Sequence, residues 1–114
     1  DLDTYEIDQF DGGWETRSYG LCTDFNLLLS KQWNGNMECI TTPSALSLKK
    51  DCYHGFFVCD DSKASVSLND EETREELVLK NRDFLLIESI DGCSVQIKSE
   101  KVQKLMYVRF SYRR

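Results

Sequence analysis

The stretch CTDFNLLLS, residues 22–30, sets an acid and an amide, Asp24 and Asn26, into a run otherwise as apolar as a buried strand. Side chains alternate between the two faces of a strand. Phe25, Leu27 and Leu29 therefore share one face, and Leu28 joins Asp24 and Asn26 on the other. Two further stretches repeat this double-sided character. In YHGFFVC (53–59), Phe56 and Val58 oppose Tyr53, Phe57 and Cys59; in DFLLIES (83–89), Phe84 and Leu86 oppose Leu85 and Ile87. Strands apolar on both faces are covered on both faces. A lone barrel of this size covers only its inside, so a second domain or second subunit is expected against the outside of one sheet.

Working outward, turn signals recur along the chain: DGG at 11–13, NGN at 34–36, DDS at 60–62, ND at 69–70, NRD at 81–83 and DG at 91–92. Between them lie short runs rich in β-branched and aromatic residues, which read as strands. Strands are expected near 4–10, 24–32, 37–42, 45–49, 53–59, 64–68, 76–80, 84–89, 93–98 and 105–112. Asp91-Gly92 and Asn34-Gly35 read as tight hairpin tips. The segment 69–79 offers helix-capping residues at Asn69 and Asp70, but it is short and runs into Leu77-Val78-Leu79, so loop followed by strand is expected. CSVQIKS (93–99) and ASVSLND (64–70) alternate cleanly, with Cys93, Val95, Ile97, Val66 and Leu68 inward. The tail YVRFSYRR reads as a final strand with Tyr107, Arg109 and Ser111 on a polar face. Many short strands with regular turns imply an all-β barrel or sandwich.

The chain has 114 residues, enough for a single domain spanning 1–114 with one core. Its net charge of −6 disfavours a phosphate backbone as partner, so no nucleic acid is expected. The longest apolar runs are a few residues, so no membrane span is expected either. Five cysteines without C-x-x-C spacing read as reduced thiols of a cytoplasmic protein.

Chemistry-bearing residues are few. A metal-binding barrel of the three-His, one-Glu kind needs several imidazoles, and His54 is the only histidine. No metal and no cofactor are expected, and His54 reads as a strand residue with its hydrogen bonds satisfied. Cys52 shares the face of His54, which is only a faint suggestion of a nucleophile and base. Asp24 and Asn26 lie on one strand face roughly 7 Å apart. They either lock the Gly20–Thr23 loop or line a pocket in which Asn26 serves an amide or carboxylate ligand. Trp14 and Thr16 follow the FDGG turn beside Arg17, whose guanidinium suits a carboxylate. The candidate ligand-binding set is thus Trp14, Thr16, Arg17, Asp24 and Asn26, with no catalytic residue assigned.

The run YEIDQFDGGWETRSYGLCTDFNLLLS resembles the HutD/Ves family of cupin-like proteins. The carriers are FDGGW-ET, Phe10 to Thr16, and G-LCT-DFN, Gly20 to Asn26. The chain departs from the family pattern at Gly13 and Glu15, which replace an acid and a proline, and at Ser30-Lys31, which replace an arginine pair. The resemblance implies a cupin-like antiparallel β-barrel or jelly-roll sandwich, one half of a bicupin whose other half supplies the outer cover. It further implies a bacterial, cytoplasmic protein that binds a small anionic or amide-bearing metabolite without turning it over, in histidine utilisation or stress response. The alternative is a metal-free cupin enzyme acting on a small polar metabolite.

Overall fold

The computed structural model describes residues 5–10, 14–19, 26–59, 63–69, 74–88 and 93–113. These form eleven strands: β1 (Tyr5–Phe10), β2 (Trp14–Tyr19), β3 (Asn26–Leu29), β4 (Trp33–Thr41), β5 (Ser44–Ser47), β6 (Tyr53–Phe57), β7 (Ala64–Asn69), β8 (Arg74–Leu79), β9 (Phe84–Glu88), β10 (Ser94–Lys98) and β11 (Lys104–Tyr112). No helix occurs among the described residues, so none there is long and apolar enough to cross a membrane. Three antiparallel sheets result, with orders β1-β2-β3, β5-β10-β7-β8 and β4-β11-β6-β9. Past β4 the chain passes repeatedly between the two four-stranded sheets; β7 and β8 alone remain in one sheet. This is the connectivity of a jelly-roll sandwich, as the resemblance implied.

The two four-stranded sheets share one core. Phe56, Val58, Leu105 and Tyr107 come from one sheet, and Ala64, Val66, Leu79, Val95 and Ile97 from the other. The alternation read in β7 and β10 therefore holds: Val66, Val95 and Ile97 are fully buried, and Leu68 and Cys93 pack at the margin. Within the segment 69–79, Asn69 ends β7 and Arg74–Leu79 is strand β8 rather than helix; residues 70–73 lie outside the described residues.

The β4-β11-β6-β9 sheet is apolar on its outside as well. Met37, Phe57, Met106 and Val108 form a second buried cluster there, flanked by Cys39, Cys59 and Phe110. Trp33, Tyr53, Phe110 and Tyr112 extend it as a group of rings with centroids 5.2 to 6.1 Å apart. The two-sided burial read in YHGFFVC is thus real. In β9 it is incomplete: Leu85 and Ile87 join the core, while Phe84 and Leu86 are 44% and 50% exposed. Part of the outer cover comes from the chain itself. β2 and β3 approach β4, and the Leu29 side chain lies against Gly35 and Phe110.

Both expected hairpin tips are corrected. Asn34-Gly35 sits inside β4, with Gly35 opposite Phe110. The turn falls earlier, where Trp33 N–H donates to the Ser30 carbonyl at 3.0 Å. The glycine serves close approach instead, since a methyl at position 35 would stand 2.7 Å from Leu29 Cδ1. Nor do β9 and β10 pair. β9 pairs with β6, and β10 with β5 and β7. Their apolar rows, Leu85/Ile87 and Val95/Ile97, enter the same core from opposite sheets. Residues 89–92, including Asp91-Gly92, lie outside the described residues. The segment 14–19, read as the stretch following a turn, is a full strand paired on both edges.

Gly55, in β6, illustrates how tightly the outer cluster closes. A methyl there would meet Phe84 Cζ at 2.5 Å and Val108 Cγ2 at 2.7 Å. Gly55→Ala is expected to destabilise the fold by roughly 1–3 kcal/mol through overpacking. In a Phe84→Ala background the cost shrinks but does not vanish, because Val108 remains. Urea denaturation of the four variants of this cycle measures the coupling, and an unchanged cost would place the strain elsewhere.

Candidate functional site

Of the residues singled out in the N-terminal third, Trp14, Thr16 and Arg17 lie on β2 and Asn26 on β3. Phe10 of β1 pairs with Trp14 of β2; residues 11–13 between them lie outside the described residues. On β2 and β3, Thr16 stands opposite Leu28, Arg17 opposite Leu27, and Ser18 opposite Asn26. Arg17 and Asn26 thus lie on adjoining strands of one sheet. Asp24 lies outside the described residues.

A second polar constellation occupies one end of the sandwich core. Register puts Asn36 and Glu38 of β4, His54 of β6 and Arg109 of β11 on the same inner face as Ile40, Phe56 and Leu105. The face changes from apolar to polar along its length. His54 is 0% exposed, and both ring nitrogens are engaged. Nε2 lies 2.9 Å from the Lys49 carbonyl oxygen, and Nδ1 lies 2.7 Å from the Tyr107 hydroxyl. A carbonyl only accepts, so Nε2 carries the hydrogen. In the neutral ring Nδ1 then accepts, and the Tyr107 hydroxyl donates to it. The two rings are nearly parallel, and Phe56 stacks on Tyr107 at 5.0 Å.

Electrostatics follow from burial. Desolvation is the main cause that lowers the His54 pKa; the Lys49 hydrogen bond opposes it and the nearby Arg109 charge adds to it. Desolvation likewise raises the Tyr107 pKa, with Arg109 lowering it and Glu38 and Cys52 raising it. The pair is a closed, neutral lock within an apolar core. His54 cannot accept a further proton without displacing the Tyr107 donor. The satisfied-histidine reading of the sequence holds. Its partner was misread: Tyr107 is a core residue at 7% exposure, and the polar face of β11 starts only at Arg109.

Two outcomes follow from this lock. Tyr107→Phe leaves His54 Nδ1 buried without a partner, and is expected to cost roughly 1–3 kcal/mol in urea denaturation. Because the folded state holds His54 below its ordinary value near 6.5, the unfolded chain binds more protons as pH drops below that value. The His54 contribution to stability is therefore complete above about pH 6.5 and is lost progressively below it, down through the lowered folded value. His54→Phe should flatten that part of the stability–pH curve; an unchanged slope would assign it to other groups.

No family model matches the chain, and no curated protein matches it significantly. Among solved structures it is similar to one described as "Crystal Structure of FeII HppE", at 12% identity and a TM-score of 0.50, covering 95% of this chain and 57% of that one. It is similarly related to hydroxypropylphosphonic acid epoxidase from S. wedmorenis, at 10% identity and a TM-score of 0.50, covering 97% of this chain and 56% of that one. The chain thus spans a little over half the length of either protein. An iron of the sort named there needs several imidazole and carboxylate donors around one cavity. Among the described residues no three His, Cys, Asp or Glu side chains gather to hold an ion, and the single histidine has both nitrogens committed. The donors among the described residues do not fit such a centre. At these identities the likeness concerns the fold alone: this chain has a cupin-like antiparallel β-sandwich fold.

Proposed function

We propose that the chain is a HutD/Ves-type cupin that binds a small anionic or amide-bearing metabolite and does not transform it. What carries this reading is the gathering of the motif residues. Trp14 and Thr16 of the first motif, on β2, and Asn26 of the second, on β3, lie on adjoining strands of one sheet. The role is regulatory, in amino-acid and especially histidine utilisation or in stress response, in a bacterial cytoplasm. The chain is the second half of a two-cupin polypeptide. The first half covers what β2 and β3 leave open on the outer face of the β4-β11-β6-β9 sheet, Phe84 and Leu86 above all. Asn26 supplies a donor and an acceptor to the ligand amide or carboxylate; Trp14 closes the mouth; Arg17 and Asp24 complete the charge pattern.

The test is thermal denaturation with a panel of N-acyl amino acids. A ligand present at about 100 times its Kd stabilises by about 2.7 kcal/mol, which raises the Tm of a domain this size by roughly 10 °C. Asn26→Ala should abolish the shift while leaving the unliganded Tm nearly unchanged. A flat response across the panel would count against binding. Turnover of a panel member that disappears in Asp24→Asn would replace this reading by the metal-free enzyme.

A further inference from the structure

Strand β8 is an edge. It pairs with β7 on one side, and among the described residues no strand takes its other side. Every residue from Arg74 to Val78 is exposed, and only Leu79 is buried. Register fixes the two faces. Leu77 stands opposite Val66 and Leu79 opposite Ala64, so both belong to the core face; Val78 stands opposite Ser65 and Glu76 opposite Ser67, on the wet face. Leu77 is nevertheless 38% exposed, and Val78 56%. The core face is therefore left partly uncovered along β8, and the open backbone edge is of the kind that takes up a further strand.

We propose that a second copy of this chain pairs antiparallel along β8, about a two-fold axis normal to the sheet at Val78. Pairing about such an axis keeps core-face residues opposite core-face residues, so only a few registers exist. Centring on Glu75 or Glu76 sets a carboxylate against its own copy. Centring on Leu77 sets Glu76 against Val78 and Arg74 against Lys80; centring on Leu79 sets Val78 against Lys80. Centring on Val78 sets Val78 against Val78, Leu77 against Leu79, and Glu76 against Lys80 on both sides of the axis. That register alone matches apolar with apolar and acid with base along the whole ladder.

Apolar and opposite-charge pairs are the ones that stabilise facing strands, and like charges directly opposite work against them. Ser65 Oγ donates to Glu76 Oε1 at 3.0 Å, which holds the carboxylate on the wet face, the face that Lys80 of the second copy presents. The ladder ends beyond Lys80, where Asn81 and Arg82 turn and Arg82 takes a φ of 67°. This self-complementarity is what singles out a second copy over a foreign strand. A ladder so short makes a small interface, so the dimer is weak, with a Kd of roughly 10–100 μM. It uses the β8 edge and neither the β2–β3 ladder nor the outer face of the other sheet, so it does not rest on the function proposed above.

Sedimentation velocity at low salt, over concentrations that bracket that Kd, is the test. The chain should show a monomer–dimer equilibrium that added salt weakens. Glu76→Lys and Lys80→Glu each place like charges opposite on both sides of the axis, and each should weaken self-association roughly ten-fold or more. Both positions are exposed, so the Tm of either monomer should stay nearly unchanged. Mixing the two variants restores opposite charges at both pairs, and the mixture should form heterodimers about as tightly as the unmodified chain dimerises. A monomer at every concentration would overturn the proposal; if its β8 amides shift in NMR when a free strand peptide is added, the edge serves a foreign strand instead. A dimer indifferent to both reversals would place the interface elsewhere and overturn it as well.

Discussion

The stretch 105–108 of strand β11 is buried on four sides. Leu105 and Tyr107 point into the core between the sheets, and Met106 and Val108 point outward into the second cluster; none is more than 7% exposed. Both backbone edges are taken, by β4 on one side and β6 on the other. A segment sealed this way must have its backbone groups paired, since water cannot reach them, and each fully buried apolar side chain adds about 1.5–3 kcal/mol. The rest of the architecture arranges itself around that strand. The two glycines that permit close packing flank it: Gly35 on β4 lies opposite Phe110, and Gly55 on β6 lies opposite Val108. Each leaves room for a side chain from another strand, Leu29 in the first case and Phe84 in the second, to lie flat on the sheet.

The two large sheets therefore differ in kind. One has a core face and a wet face, with serines and charged residues outward. The other is apolar twice over, and its polar groups are pushed either to the strand ends or into fully paired arrangements. His54 and Tyr107 are of the second type, a polar couple admitted to the core because every ring nitrogen finds a partner. Gln103 is the exception, a buried amide with one end answered and the other not.

Much of this was legible in the residue order. Alternation in CSVQIKS and ASVSLND identified the inward rows, and the double-sided character of YHGFFVC identified the sheet that is covered on both faces. The satisfied state of His54 followed from its isolation as the only histidine. What failed was pairing. Asn34-Gly35 and Asp91-Gly92 have the local chemistry of hairpin turns, but local chemistry does not record whether the flanking strands belong to one sheet or face each other across a core. Gly35 is present because Leu29 needs its space, a fact about a residue on another strand. Tyr107 was read as exposed because its neighbours Arg109 and Ser111 are polar; the hydroxyl that makes it look like a surface residue is the group that His54 binds. The N-terminal motif was read by resemblance, and register adds that Arg17 and Asn26 lie on adjoining strands of one sheet.

The order of strands along the chain carries a consequence for how the protein forms. β4 and β6 both take their main ladder from β11, whose residues 104–112 are made after all the other strands. Trp33 meets Tyr112, and Thr41 meets Lys104, so the closing contacts span most of the sandwich in sequence. Such distant pairings delay the reward for closing a loop, and chains that depend on them fold slowly. During synthesis β4 and β6 must wait with apolar residues on both faces and an open edge toward the place β11 will fill. The strand that makes the sheet secure is the one that leaves the nascent chain most exposed to wrong partners.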